Sequence, residues 1–281
     1  MSHKNKGILL IICSAFCFAL MNVFVRLSGD LPSIQKSFFR NFVALIFAFI
    51  MIRKNHVPLR LERQNWVYMI LRSTFGTIGI LCNFYAVDHL MVSDASMLNK
   101  LSPFFVIIFS FLLLKEKVKP YQAICVIIAF LGSLFVIKPG FSMSAAPALI
   151  GACGGLCAGL AYTYVRMLGS RGVKGPLIVF CFSSFSCLVT LPSLLLDYHP
   201  MSGAQILCLL GAGLAASGGQ FSITAAYTFA PARDISIYDY SQIIFATILS
   251  FVILGQIPDV YSFIGYAIII SASLAMFLRR E

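Results

Sequence analysis

DASMLNKLSPFFVIIFSFLLLKEKVKPYQAICVIIAFLGSL, residues Asp94–Leu134, is echoed by DISIYDYSQIIFATILSFVILGQIPDVYSFIGYAIIISASL at Asp234–Leu274. The two stretches stand 140 residues apart and agree at 12 of 41 positions, including Asp94/Asp234, Ser110-Phe111/Ser250-Phe251 and Tyr121/Tyr261. The same offset holds near the start of each half, where Cys13, Cys17, Leu20, Val25 and Arg26 return as Cys153, Cys157, Leu160, Val165 and Arg166. Apolar helices resemble one another by chance, but Cys, Arg, Asp and Tyr at one fixed offset do not. The chain therefore reads as two copies, 1–140 and 141–281.

Composition sets the solvent. The chain is 59% hydrophobic and only 11% charged, with a mean hydropathy of +0.91, against roughly 25% charge in a soluble domain. A membrane-crossing helix needs about 20 apolar residues. Ten such runs are predicted, at 7–26, 34–52, 66–87, 94–114, 120–138, 147–166, 175–196, 203–229, 235–255 and 259–278. The fold class is thus all-α integral membrane protein, with ten transmembrane helices, five in each half. An odd number of spans per repeat forces the two copies into opposite orientations, as inverted repeats with a site near the midplane between them. The first run is expected to be retained rather than cleaved as a signal peptide, because Ala148–Val165 is its partner in the second half.

Fifteen of the 21 basic residues fall at one set of span ends, Lys4, Arg53, Lys115, Arg171 and Arg280 among them, and three (Arg26, Lys36, Lys138) at the other. This bias places both termini in the cytoplasm and a multi-pass protein in the plasma (cell inner) membrane. The pI of 9.3 carries no nucleic-acid reading, because the cations lie in short loops rather than on one soluble face. The nine cysteines all lie in spans and read as small packing residues rather than a metal or redox site. No cofactor is indicated.

The remaining three cations, Arg40, Arg72 and Lys100, lie within spans, as does Asp239. Each costs at least about 2.5 kcal/mol inside a bilayer, so each faces a partner or a wet cavity unless it snorkels to an interface. Arg40 and Lys100 are each about six residues from the outer span ends, roughly 9 Å deep. Arg72 and Asp239 match in depth on the inner side, which predicts that they pair. Asn99-Lys100 aligns with Asp239-Tyr240, so one repeated position carries polar pairs in both halves. Pro103, a turn beyond Lys100, is expected to free a carbonyl and bend the helix around a cavity. Asn22, which aligns with Tyr162, then Asn83 and Tyr85 of the third span, Ser217, Gln220, Thr224 and Tyr227 of the eighth, and Tyr238 and Gln242 flanking Asp239 complete the polar lining; for each, helix packing is an equal alternative. The candidate substrate-binding set is Asn22, Arg40, Arg72, Asn99, Lys100, Tyr162, Gln220, Asp239 and Tyr240. Gly151, Gly155 and Gly159, with Gly211, Gly213, Gly218 and Gly219, read as close-packing positions. His89-x4-Asp94 has an acyltransferase-like spacing, but Asp234, the twin of Asp94, has no such His; both Asp residues are expected to be helix N-caps.

Leu71-Arg72-Ser-Thr-Phe-Gly76, Asn83-Phe-Tyr85-Ala-Val-Asp88-His89-Leu90, Ser93-Asp94-Ala95, Leu101-Ser-Pro103 and Leu114-Lys-Glu116, with Phe38-Phe39-Arg40, together resemble the EamA-type members of the drug/metabolite transporter superfamily, over essentially the whole chain. The resemblance implies a central cavity lined by spans 1–4 and 6–9, peripheral spans 5 and 10, and alternating access. Gln256 stands where Glu116 would have its twin, and Ile243 where Pro103 would.

The expected function is secondary active transport of a small polar metabolite. The candidates sum to three positive charges against one negative, which favours organic anions or amino-acid-like solutes, with a cationic amine or drug held by Asp239 as the alternative substrate. A non-transporting polytopic protein, enzyme or lipid-handling helper, is the alternative of another class. No G-x4-G-K-[ST] loop is present, so a coupling proton, an ion or a counter-substrate supplies the energy. Partners are the small-molecule substrate and the lipid bilayer, and the chain acts as monomer or homodimer.

The inverted repeat predicts termini on one side and residue 30 on the other. A fluorescent-protein fusion at the C-terminus should fluoresce, and an alkaline phosphatase fusion after residue 30 should be active. Activity of the phosphatase at the C-terminus would overturn the orientation.

Overall fold

The computed structural model describes residues 3–114, 119–137, 145–229 and 236–278. All its described elements are helices: α1 (His3–Leu27), α2 (Ser33–Lys54), α3 (Trp66–His89), α4 (Val92–Asn99), α5 (Ser102–Leu114), α6 (Pro120–Ile137), α7 (Ala145–Ser170), α8 (Gly175–Leu196), α9 (Gly203–Phe229), α10 (Ser241–Leu254) and α11 (Val260–Leu278), with 3-10 turns at Arg63–Asn65 and Ser236–Tyr240. Eight helical stretches are long and apolar enough to cross a membrane, α4 and α5 counting together as Val92–Leu113, and two shorter apolar helices follow at Tyr238–Leu254 and Val260–Ala275.

Proline marks where helices begin. Pro32 precedes α2, Pro120 opens α6 and Pro176 lies in the first turn of α8, where a missing N–H costs nothing. Gly255, at φ +66°, ends α10 in a left-handed turn whose N–H returns to Phe251. Asp94 does not cap α4 as expected. Met91 holds the cap position, and Asp94 lies in the first turn, buried, accepting a hydrogen bond from the Tyr266 hydroxyl. Its carboxylate is used to join α4 to α11, a tertiary contact that local spacing does not encode. Asp234 lies outside the described residues.

The outer surface carries large apolar side chains such as Leu196, Leu207, Val252 and Val260, each more than two thirds exposed, a surface suited to lipid. Inside, α1 packs on α9 and α3 on α7; α1 packs on α10 and α7 on α5; α2 packs on α9 and α3 on α8. The pairs α2–α8, α6–α11 and α4–α10 join the two halves directly. Between lipid-soluble helices close van der Waals contact replaces the hydrophobic drive, and glycine makes it available. A Cβ on Gly155 would sit 2.6 Å from the Leu98 carbonyl oxygen, and one on Gly159 2.5 Å from the Phe105 Cβ. The glycine stripe of α7 thus presses against the end of α4 and the start of α5.

Gly155→Val should therefore destabilise the protein by about 1–3 kcal/mol through overpacking against backbone. Gly169→Ala, on the same helix with nothing within 4 Å, should leave the melting temperature in detergent unchanged or raise it. Equal melting temperatures for the two variants would remove the packing role of Gly155.

Candidate substrate site

Residues 94–114 read as one bent span, but the structure interrupts it. α4 closes with Lys100 N–H on the Ser96 carbonyl (3.1 Å) and Leu101 N–H on that of Leu98 (3.2 Å), and α5 starts at Ser102. Pro103 is the second residue of α5, so it permits a new helix start rather than kinking a continuous one. Phe104 N–H turns to the Leu101 carbonyl at 3.0 Å, and the Lys100 carbonyl accepts the Tyr240 hydroxyl at 3.2 Å. In the second half, the 3-10 turn ending at Tyr240 meets α10 at Ser241. Both interruptions fall at the repeated polar position.

These breaks bring Lys100 and Asp239 together. Lys100 Nζ lies 2.5 Å from Asp239 Oδ2, with only 8% and 16% of the side chains exposed. The expected pairing of Asp239 with Arg72 is corrected: similar depth did not place those helices side by side. Arg72 instead lays its guanidinium over the Phe182 ring of α8, 4.1 Å from its centroid. Arg40, on α2, donates from Nη1 to Asn41 Oδ1 at 2.6 Å. Asn41 is fixed in turn by bonds from Nδ2 to the Ser37 carbonyl and to Ser186 Oγ, both at 2.9 Å. Arg40 and Arg72 are each 7% exposed, and the Nε of each is buried without a hydrogen-bond partner. Among the described residues no carboxylate forms a salt bridge with either.

The two arginines line one cavity with Gln220, Ser183, Ser217, Phe182, Phe221, Ala44, Val179 and Ala216. Its free volume is about 10 Å³, room for about one water. Tyr162 keeps 44% of its surface accessible and lies within electrostatic reach of Asp239, Arg72 and Arg40. Seven of the candidates thus gather around two linked features. Arg40, Arg72 and Gln220 line the cavity, Lys100, Asp239 and Tyr240 hold the breaks, and Tyr162 lies between. Asn22 is buried differently, donating to Ser96 Oγ at 3.0 Å and accepting from Asn83 Nδ2 at 3.2 Å; it ties α1, α3 and α4. Asn99 is half-buried at the end of α4. Tyr85 stacks on His89, Ser217 donates to the Gly213 carbonyl and Gln242 is buried. The side chains of Thr224 and Tyr227, and Glu116, lie outside the described residues.

A second polar cluster escaped the sequence. Lys36, read as a cation at an outer span end, is fully buried and pairs with Asp88 at 2.6 Å while donating to the Gly29 carbonyl at 2.7 Å. Around it, Arg26 donates to the Val87 carbonyl, Gln35 exchanges bonds with His199 N–H and C=O, Gln205 donates to the Ser28 carbonyl, and Gln256 accepts from Val92 N–H. These contacts sew together four connections at one end of the helix bundle. The available signal was a Lys and an Asp at the same end of neighbouring spans.

Lys100→Met or Asp239→Asn alone leaves one buried charge uncompensated and should cost about 3–5 kcal/mol. Combining Lys100→Met with Asp239→Leu should recover most of that loss in detergent unfolding. Additive losses would show that the two side chains act independently.

Residues 5–138 and 146–278 each match the EamA-like transporter family. The pseudopaline exporter CntI of Pseudomonas aeruginosa is 29% identical, over 97% of this chain and 96% of the relative. The riboflavin transporter of Vibrio cholerae is 22% identical, over 95% and 91%. Human solute carrier family 35 member G1 is 23% identical, over 98% and 79%. A solved crystal structure superposes with a TM-score of 0.69 at 16% identity, over 99% of this chain and all of the other, which shows a shared fold. Two matched segments that together span nearly the whole chain make it a member of the EamA-like transporter family.

Proposed function

We propose that the protein is a secondary transporter that carries a small organic anion or amino-acid-like solute across the plasma (cell inner) membrane by alternating access. The observation that carries this reading is the pair of buried guanidinium groups, Arg40 and Arg72, lining one cavity without an acidic partner among the described residues. Two desolvated cations in a low-dielectric interior attract and orient an anion strongly. Lys100 contributes less to this field than its charge suggests, because Asp239 neutralises it. The same pairing weakens the cationic-amine alternative, since Asp239, the acid on which that alternative rests, already has a cation.

Ten spans in two inverted five-helix repeats suit the packing pattern. Exchanging each helix of one half for its counterpart turns α1–α9 into α7–α3, α2–α9 into α8–α3 and α1–α10 into α7–α5, and returns α2–α8 and α6–α11 to themselves. A twofold relation of this kind gives a carrier two equivalent arrangements, one open to each side. The cluster around Lys36 and Asp88 acts as the closed gate at one end, and its bonds must break when that end opens. Asn22, Asn99, Tyr162, Gln220 and Tyr240 position the helices and the solute around the two arginines. The Lys100–Asp239 pair is the element sensitive to a coupling proton or counter-substrate.

Proteoliposomes loaded with unlabelled citrate should take up labelled citrate faster than labelled putrescine. Arg40→Ala should lower anion uptake by roughly 10-fold or more, the cost of removing a charge-assisted contact, in protein that still elutes as a single folded species. Faster uptake of putrescine would overturn the anion reading.

A further inference from the structure

We infer that the cavity between α2, α3, α8 and α9 selects a small organic dianion, held by Arg40 and Arg72 together. The inference rests on the transport reading and adds the charge of the solute. Arg40 and Arg72 lie within electrostatic reach of one another, and both are more than nine-tenths buried. No protein acid among the described residues offsets either one. Lys100, the other cation placed within a span, is already matched by Asp239. The cavity therefore holds two positive charges that repel each other in a medium where unpaired charge is costly. A monoanion leaves one charge unmatched, whereas a dianion cancels both.

The shapes around the charges agree. Arg40 is anchored at one edge by Asn41 Oδ1, which Ser37 and Ser186 hold in place. Arg72 is anchored on one face by Phe182, and it covers Gly76, where a Cβ would lie 2.2 Å from its Nη1. Stacking of this kind leaves the in-plane N–H groups to meet acceptors. Three buried polar atoms of the lining residues, Arg40 Nε, Arg72 Nε and Ser183 Oγ, have no hydrogen-bond partner. Ala44, Val179, Ala216 and Phe221 supply apolar walls of the same cavity. Two guanidinium groups beside apolar walls suit a dianion on a small carbon frame, either two carboxylates on a short chain or one phosphate monoester. With a free volume of about 10 Å³, the walls must part to admit either, so neutralising the arginines is coupled to opening the cavity.

The test measures binding to the full chain in detergent, by calorimetry and by melting temperature, at fixed ionic strength. The probes are succinate, glycerol 3-phosphate, propionate and putrescine. At least one of the two dianions should bind on the order of 10- to 100-fold more tightly than propionate, and the one that does tells paired carboxylates from a phosphoryl group. Arg40→Gln and Arg72→Gln should each abolish the preference for dianion over propionate, while Arg72→Lys keeps most of it. Ser183→Ala, which removes no charge, should weaken the dianion without changing the preference. Equal binding of propionate, binding of neither dianion, or an unchanged preference in both glutamine variants would overturn the proposal. Binding is read without flux, so the two readings fail separately. Dianion binding with no flux in proteoliposomes would overturn transport alone. Flux of monoanions at the same rate as dianions would overturn the charge selectivity alone.

Discussion

The contact between Lys100 and Asp239 joins the two places where a membrane-embedded backbone is interrupted. Inside a bilayer every N–H and C=O needs a partner, and irregular backbone survives only where protein or a wet cavity surrounds it. Here the Lys100 carbonyl takes the Tyr240 hydroxyl, and the Lys100 ammonium takes the Asp239 carboxylate. Each half thereby supplies what the break in the other lacks. The glycine stripe of α7 then presses the end of α4 and the start of α5 into place, so a charged contact and a steric one fix the same site.

Four ionisable groups near the centre divide into two kinds. Lys100 and Asp239 form a closed pair, whose attraction offsets the loss of hydration and joins the two interruptions. Arg40 and Arg72 are satisfied only in part, by an amide oxygen and by an aromatic face. Ionisable groups inside a membrane-spanning region are costly and normally face a partner or a water-filled cavity. Guanidinium suits the position, because it is more weakly hydrated than an ammonium and stacks on aromatic rings.

Away from the centre, the two ends of the bundle are built differently. At the end bearing Lys36 and Asp88, side chains cross-link four connections, and a lysine is removed entirely from solvent. Among the described residues at the other end, Arg171 reaches Asn65 and Tyr68 at 3.3–3.4 Å, bonds that are long and partly exposed.

The sequence by itself determined the solvent, the helical class and the four buried charges within spans. Hydropathy decides which segments leave water, and a fixed offset of Cys, Arg, Asp and Tyr survives in the order of residues. The polar residues it singled out at Lys100 and at Asp239-Tyr240 meet in the fold, through the Lys100–Asp239 and Tyr240–Lys100 contacts. It did not determine who pairs with whom. Depth placed Arg72 with Asp239, yet depth constrains one coordinate of three, and the arrangement of helices around the axis set the other two. The same limit hid the Lys36–Asp88 pair and turned Asp94 from an expected cap into a ligand of Tyr266. The break after Asn99 was also beyond the sequence, since Pro103 permits either a kink or a fresh start. Only tertiary packing decided, because a partner 139 residues away in Asp239, and a hydroxyl 140 away in Tyr240, stabilise the interruption more than local helix propensity opposes it.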